Sequence, residues 1–268
     1  NDVLMQLGAD LGKRKFLQYV NEFGFGKKTG IDLPGEATGG VFTNDTMHAV
    51  ELATSSFGQG QTVTMIQMAA AFSSVINGGN YYEPHVVKEV KSENGAVLES
   101  NDNALVRRVI TENTSKKLRK YLYKTVEEGT ALPAKVAGYQ IGGKTGTAEK
   151  HPTGRGNYLV SFIGFATKDN PEVMIYVTID EPHVADQAHS TYATQFSSEV
   201  LKEVLPVLGM YQDSSTKKAD KTKASDIKLP STKEAPDGGY SDGTYSVAGD
   251  QTDGTDTANT ASPVPSAE

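Results

Sequence analysis

The sequence predicts a mixed α/β fold: an antiparallel sheet covered by helices, with a helical region beside it. Three observations predict it. Segments with apolar residues at helical spacing occur at several places in the first half of the chain and again at 191–208. Three apolar segments, at 139–149, 158–166 and 173–179, follow one another through short polar links. After Gly209 the composition turns from core-forming to polar. Consecutive strands with short links pair as an antiparallel meander, and helices on the same chain bury their apolar stripes on its faces.

The chain has 268 residues, a net charge of −7 and only 37% hydrophobic residues, and the apolar deficit lies at its end. Residues 210–268 are rich in Lys, Asp, Ser, Thr, Gly and Pro, with isolated apolar residues that cannot offset ordering entropy, so a disordered low-complexity tail is expected there. Residues 1–209 are then one domain. The acidic balance, with no basic stripe carrying interleaved aromatics, argues against a nucleic-acid partner. The absence of cysteine excludes disulfides and Cys-ligated metals and leaves the compartment open. Neither a metal nor a cofactor is expected, because His48, His85, His151, His183 and His189 show no close ligand spacing. No run reaches the roughly 18 to 20 apolar residues that span a bilayer. The chain starts at Asn1 with no initiator methionine and no signal-like segment. A piece of a longer protein is therefore expected, with any membrane anchor in sequence outside it.

In chain order, Val3, Leu4, Leu7 and Leu11, then Phe16, Leu17, Val20 and Phe23, predict two short helices broken near Gly12, with an amphipathic core face. Residues 24–40 carry many glycines and a proline and read as an irregular connection. A helix is expected around 46–55. Thr64 then N-caps a helix through Met65, Met68, Ala69, Phe72 and Ile76 that ends at Gly78-Gly79. The Gly58-Gln59-Gly60 string before it reads as a tight turn, since it is too short for a phosphate loop. Asn94-Gly95 between 86–90 and 96–98 is a hairpin signal. Thr111 caps a helix with Leu118, Tyr121, Leu122 and Val126 inward. The last helix, 191–208, aligns Phe196, Val200, Val204 and Leu208 along one side.

The chemistry concentrates in Gly142-Gly143-Lys144-Thr145-Gly146-Thr147-Ala148-Glu149. Glycines on a strand let another backbone approach closely, and a lysine with two hydroxyls supplies a cation and donors for a carboxylate. Lys-Thr-Gly is one of three motifs of penicillin-recognising serine acyl-transferases, with Ser-x-x-Lys and Ser-x-Asn. Other matches to these strings read as incidental. Lys28-Thr29-Gly30 lies in a loop without a flanking strand, and Ser92-Glu93-Asn94 serves the hairpin turn. The Ser-x-x-Lys strings starting at Ser214, Ser215 and Ser225 lie in the tail, where no serine and lysine can be held together and desolvated.

Residues 1–209 resemble the C-terminal part of the transpeptidase domain of a class B penicillin-binding protein. The resemblance is carried, in family order, by four segments. They are Phe25-Gly26 through Thr29-Gly30-Ile31-Asp32-Leu33-Pro34-Gly35-Glu36, the 58–79 stretch with Pro84-His85, Gly143 through Glu149, and Ser161-Phe162-Ile163-Gly164-Phe165-Ala166. It implies a serine β-lactamase/transpeptidase-like fold, incomplete at the N-terminus, and acyl transfer in peptidoglycan synthesis. A serine attacks the D-Ala-D-Ala bond of a stem peptide, D-alanine leaves, and a neighbouring stem's amine accepts the acyl group. β-Lactams would acylate the same serine.

By the resemblance Lys144 attracts the terminal carboxylate, Thr145 and Thr147 add hydroxyls, Gly146 admits the substrate backbone, and the Thr147 N–H is one oxyanion donor. Asn1 falls on the third residue of Ser-x-Asn, which places both that serine and the nucleophile upstream. The chain alone is therefore expected to be inactive. Expected partners are stem peptides, β-lactams, the outer face of the cell membrane through an anchor outside this chain, and other cell-wall synthesis proteins. Two alternatives remain open: a non-catalytic penicillin-binding sensor or wall-peptide binding module, and a D,D-carboxypeptidase or β-lactamase.

Overall fold

The strand at 158–166 is apolar on both faces and so needs cover on both sides. The computed structural model describes residues 1–101 and 105–212. Its elements are α1 (Asp2–Leu11), α2 (Lys13–Glu22), α3 (Ala49–Ser56), α4 (Met65–Ile76), β1 (Asn80–Tyr82), β2 (Glu89–Lys91), β3 (Val97–Ser100), β4 (Leu105–Arg108), α5 (Glu112–Glu127), a 3₁₀ turn (Leu132–Ala134), β5 (Ile141–Glu149), β6 (Tyr158–Ala166), β7 (Val173–Asp180) and α6 (Thr191–Val207). The main sheet has the order β5-β6-β7 and is antiparallel throughout, as the meander required. Two small antiparallel pairs, β1 with β4 and β2 with β3, lie outside it.

Alternation along the main sheet separates two cores. Ile141, Phe162 and Ala166 pack with Val126 of α5 and with Ala193, Leu201 and Leu205 of α6. On the other face Ile163 and Phe165 pack with Phe72 and Ile76 of α4, joined by Leu122 of α5. Helix α5 thus feeds both cores from beside β5. Gly142 makes this approach possible, because a Cβ there would stand 3.1 Å from the backbone nitrogen of Tyr123.

The irregular 24–40 segment is tied to α4 by Gln67, which is fully buried. With Thr64 it closes a capping box at the start of α4. Its Nε2 donates to the carbonyls of Lys27 (2.6 Å) and Thr38 (2.8 Å), so one side chain pins both ends of the irregular 24–40 segment. Within that segment the N–H and the hydroxyl of Thr29 donate to Glu36 Oε1, at 2.5 and 2.6 Å. The hydroxyl's bond, followed by those from the backbone, holds the Glu36 carboxyl below its usual range. The Lys28-Thr29-Gly30 string is therefore a piece of loop architecture.

The caps at Thr64 and Thr111, the break at Gly12 and the turn at Asn94-Gly95 stand where expected. Three expectations about buried faces need correction. Tyr121 is 62% exposed, while α5 buries Val126, as expected, together with Ser115. On α6, Phe196, Val204 and Leu208 are exposed, while Ala193, Thr194, Ser197, Leu201 and Leu205 face the sheet. Small residues let that helix come close, and Thr194 and Ser197 satisfy their hydroxyls on carbonyls of their own helix. On α1 the expected core face, Val3, Leu4, Leu7 and Leu11, is exposed, and only Gly8 is buried, where the helix meets Leu52 and Ser56 of α3. The tail expected at 210–268 lies outside the described residues, apart from its first three.

Candidate active site

Strand β5 is an outer strand of its sheet, so one row of its main-chain groups has no strand partner among the described residues. At its start α5 lies alongside. Just past that helix, Thr130 Oγ1 comes to 3.4 Å from Thr145 Oγ1. Lys144 and Gly146 oppose Ile163 and Ser161 on β6, which places them on the face that packs toward α4.

There the sheet and the helical region leave a cleft of about 480 Å³. Lys144, Gly146, Ser161 and Tyr176 form its sheet side. Phe57, Gly58 and Gln59 from the turn after α3, with Met68 of α4, form the opposite wall. That turn is held by its own backbone: Gly58 N–H donates to Ser55 and Gln59 N–H to Thr54, both at 3.0 Å. It needs glycine at 58 and 60, where φ is 89° and 84°.

Lys144 is exposed, and its Nζ donates to the carbonyl of Thr145 at 2.8 Å. Thr147 is exposed and Thr145 half-buried. Burial pushes the Tyr176 phenol above its ordinary pKa. Just beyond β5, Lys150 Nζ lies 2.6 Å from Glu181 Oε1 and 2.9 Å from Asp180 Oδ1. The bond to Glu181 is the main reason that the lysine's pKa is raised. This clamp joins the far end of β5 to β7. The cleft thus offers a cation, hydroxyls and an open strand edge, the groups that hold an extended peptide ending in a carboxylate.

The structure brings Lys144, Thr145, Gly146 and Thr147 together on the cleft. Asn1 is elsewhere among the described residues: it is the exposed N-cap of α1, makes no side-chain capping bond and does not line the cleft. Ser92 and Asn94 close the β2–β3 turn, and the three Ser-x-x-Lys strings lie outside the described residues. All five histidines are exposed, and among the described residues no cluster of His, Asp or Glu could hold a metal ion. Gln59 and Ser161 were missed as cleft residues. Each lies in a segment that the sequence marked, one as a turn and one as a strand, and only tertiary packing turns them toward Lys144.

A family model, the penicillin binding protein transpeptidase domain, matches residues 1–204. Stage V sporulation protein D of Bacillus subtilis is 42% identical over 214 residues, which are 78% of this chain and 33% of that protein. Penicillin-binding protein PbpB of Mycolicibacterium smegmatis is 30% identical over 214 residues, covering 75% of this chain and 33% of the relative. The chain therefore spans about a third of the length of these relatives. Among solved structures, penicillin binding protein 3 of Mycobacterium tuberculosis complexed with ampicillin superposes with a TM-score of 0.71 at 27% identity, over 78% of this chain and 49% of that one.

Proposed function

The chain belongs to the penicillin-binding protein transpeptidase family, and from that premise we propose that its cleft binds the D-Ala-D-Ala end of a peptidoglycan stem peptide within a serine D,D-transpeptidase. One observation carries the reading: Lys144, Thr145, Gly146 and Thr147 lie on an outer strand and line a single cleft. In this reading the peptide adds to β5 as a further strand, its main chain drawn close at Gly146. The Lys144 ammonium attracts the terminal carboxylate, and the Thr145 and Thr147 hydroxyls supply donors beside it. The Thr147 N–H stabilises the oxyanion that forms when a serine Oγ adds to the penultimate carbonyl. The C–N bond to the terminal D-alanine then breaks, and the acyl group passes from the serine to the amine of a neighbouring stem.

No Ser-x-x-Lys string occurs among the described residues, and those starting at Ser214, Ser215 and Ser225 read as incidental, so in this reading the chain itself does not supply the nucleophile. Asn1, by the family pattern, is the third residue of Ser-x-Asn, whose serine would likewise come from outside the chain. The likeness to a protein solved with ampicillin makes β-lactams proposed ligands of the cleft. The whole enzyme would work at the outer face of the cell membrane, where the wall is built. Among the described residues no helix is long and apolar enough to cross a membrane.

Intact-mass measurement of the chain after incubation with excess ampicillin tests the assignment of the serine. An unchanged mass is expected, and a stable adduct of one ampicillin would place a competent nucleophile inside the chain and overturn it.

A further inference from the structure

Gly146 leaves a gap in the face of β5 that carries Lys144, and the residue opposite it on β6 is Ser161. A Cβ at position 146 would collide with Ser161 Oγ. The floor of the cleft at this point is therefore formed by a hydroxyl of the middle strand.

Ser161 is half-buried and lines the cleft. Among the described residues its Oγ has no hydrogen-bond partner. Neighbouring hydroxyls are engaged: Thr145 with Thr130, and Thr178, opposite Ser161 on β7, with the sulfur of Met65 at 3.6 Å. Packing alone gives no reason for a hydroxyl here, because alanine would fill the same strand position without a polar atom to satisfy. Lys144 is diagonal to Ser161 on the same face, since it pairs with Ile163, two residues along β6.

We propose that Ser161 is a ligand-contacting residue of the cleft, its hydroxyl donating across Gly146 to the carboxylate that Lys144 attracts. The assignment rests on the reading of the cleft given under Proposed function. A lysine ammonium on a flexible stem attracts an anion without orienting it. A donor on a strand that is paired on both sides supplies the fixed direction. Ser161 thereby makes the cleft selective for a peptide with a free C-terminal carboxylate over the same peptide ending in an amide.

The test titrates ¹⁵N-labelled chain with diacetyl-L-lysyl-D-alanyl-D-alanine and with its C-terminal amide, for wild type and Ser161→Ala. Wild type should bind the acid with shifts at the Lys144–Thr147 amides. Ser161→Ala should weaken binding of the acid by about ten-fold, the effect of one hydrogen bond to a charged group, and leave the amide's affinity unchanged. The readout is the acid-to-amide ratio within one folded variant, so a general loss of stability does not mimic it. Equal acid affinity in the two proteins, or an equal loss for both peptides, would overturn the role of Ser161 and leave the cleft reading intact. Failure of wild type to bind at β5 would overturn both.

Discussion

Lys144 Nζ rests on the carbonyl oxygen of its own neighbour Thr145, 2.8 Å away, and makes no ion pair among the described residues. A neutral acceptor on an exposed strand edge holds an ammonium weakly, so the charge can leave it for a carboxylate. Lys144→Ala should lower affinity for a D-Ala-D-Ala peptide by about ten-fold or more, through loss of a charged hydrogen bond. The wild-type affinity should fall as salt rises, and that of the variant should respond much less. Titrations at two ionic strengths check this, and equal salt dependence would count against a role for the charge.

Gln67 makes a cap and two long-range bonds from one buried amide. Gln67→Ala removes these bonds and leaves the carbonyls of Lys27 and Thr38 without their donor. A loss of roughly 2–4 kcal/mol is expected from lost hydrogen bonds and unsatisfied buried groups. Urea denaturation of the two proteins measures it, and a change below about 0.5 kcal/mol, the usual scale of a surface substitution, would refute the pinning role.

Asp32 accepts the N–H groups of Val86 and Val87, each at 2.8 Å, and ties the 24–40 segment to the chain leading into β2. These bonds, that from Val87 first, hold its pKa below the ordinary value. Because the folded-state pKa is the lower one, the stabilising contribution is complete above the ordinary carboxylate pKa of about 4 and disappears as pH falls through the folded value. Asp32→Asn should therefore melt below wild type at neutral pH, with the gap closing in acid. A gap that stays constant with pH would contradict the assignment.

Phe162 is fully buried between β5 and α6, with Gly143 leaving room for its ring. Phe162→Ala should cost about 3–5 kcal/mol. Gly143→Ala should also destabilise, because the added methyl would meet that ring and the Ile163 carbonyl. Thermal melts of both variants decide the matter, and a tolerated Gly143→Ala would show that the ring has room to move.

Local signals carried much of this structure. Thr64 and Thr111 announce their helices, Asn94-Gly95 its hairpin, and three short-linked apolar segments their meander, because each depends on chemistry within a few residues. Lys144 through Thr147 stand out for the same reason: cation, hydroxyls and glycine are contiguous. Burial on α6 was not legible, since Ala193, Thr194 and Ser197 face the sheet and their small size, which permits the close approach, looks polar or neutral in a hydrophobic pattern. Gln59 and Ser161 were not legible as cleft residues for another reason. They lie about a hundred residues apart and meet one cleft only through packing of α4 on the sheet.

The central claim is that a peptide lies along the open edge of β5 with its carboxylate at Lys144. A crystal structure of the chain saturated with a D-Ala-D-Ala-terminated peptide tests it most directly. The account predicts an extended peptide hydrogen-bonded to β5 alongside Thr145 to Thr147, its terminal carboxylate within about 4 Å of Lys144 Nζ, the ion-pair range. A peptide bound elsewhere, or an empty cleft under saturating conditions, would contradict it.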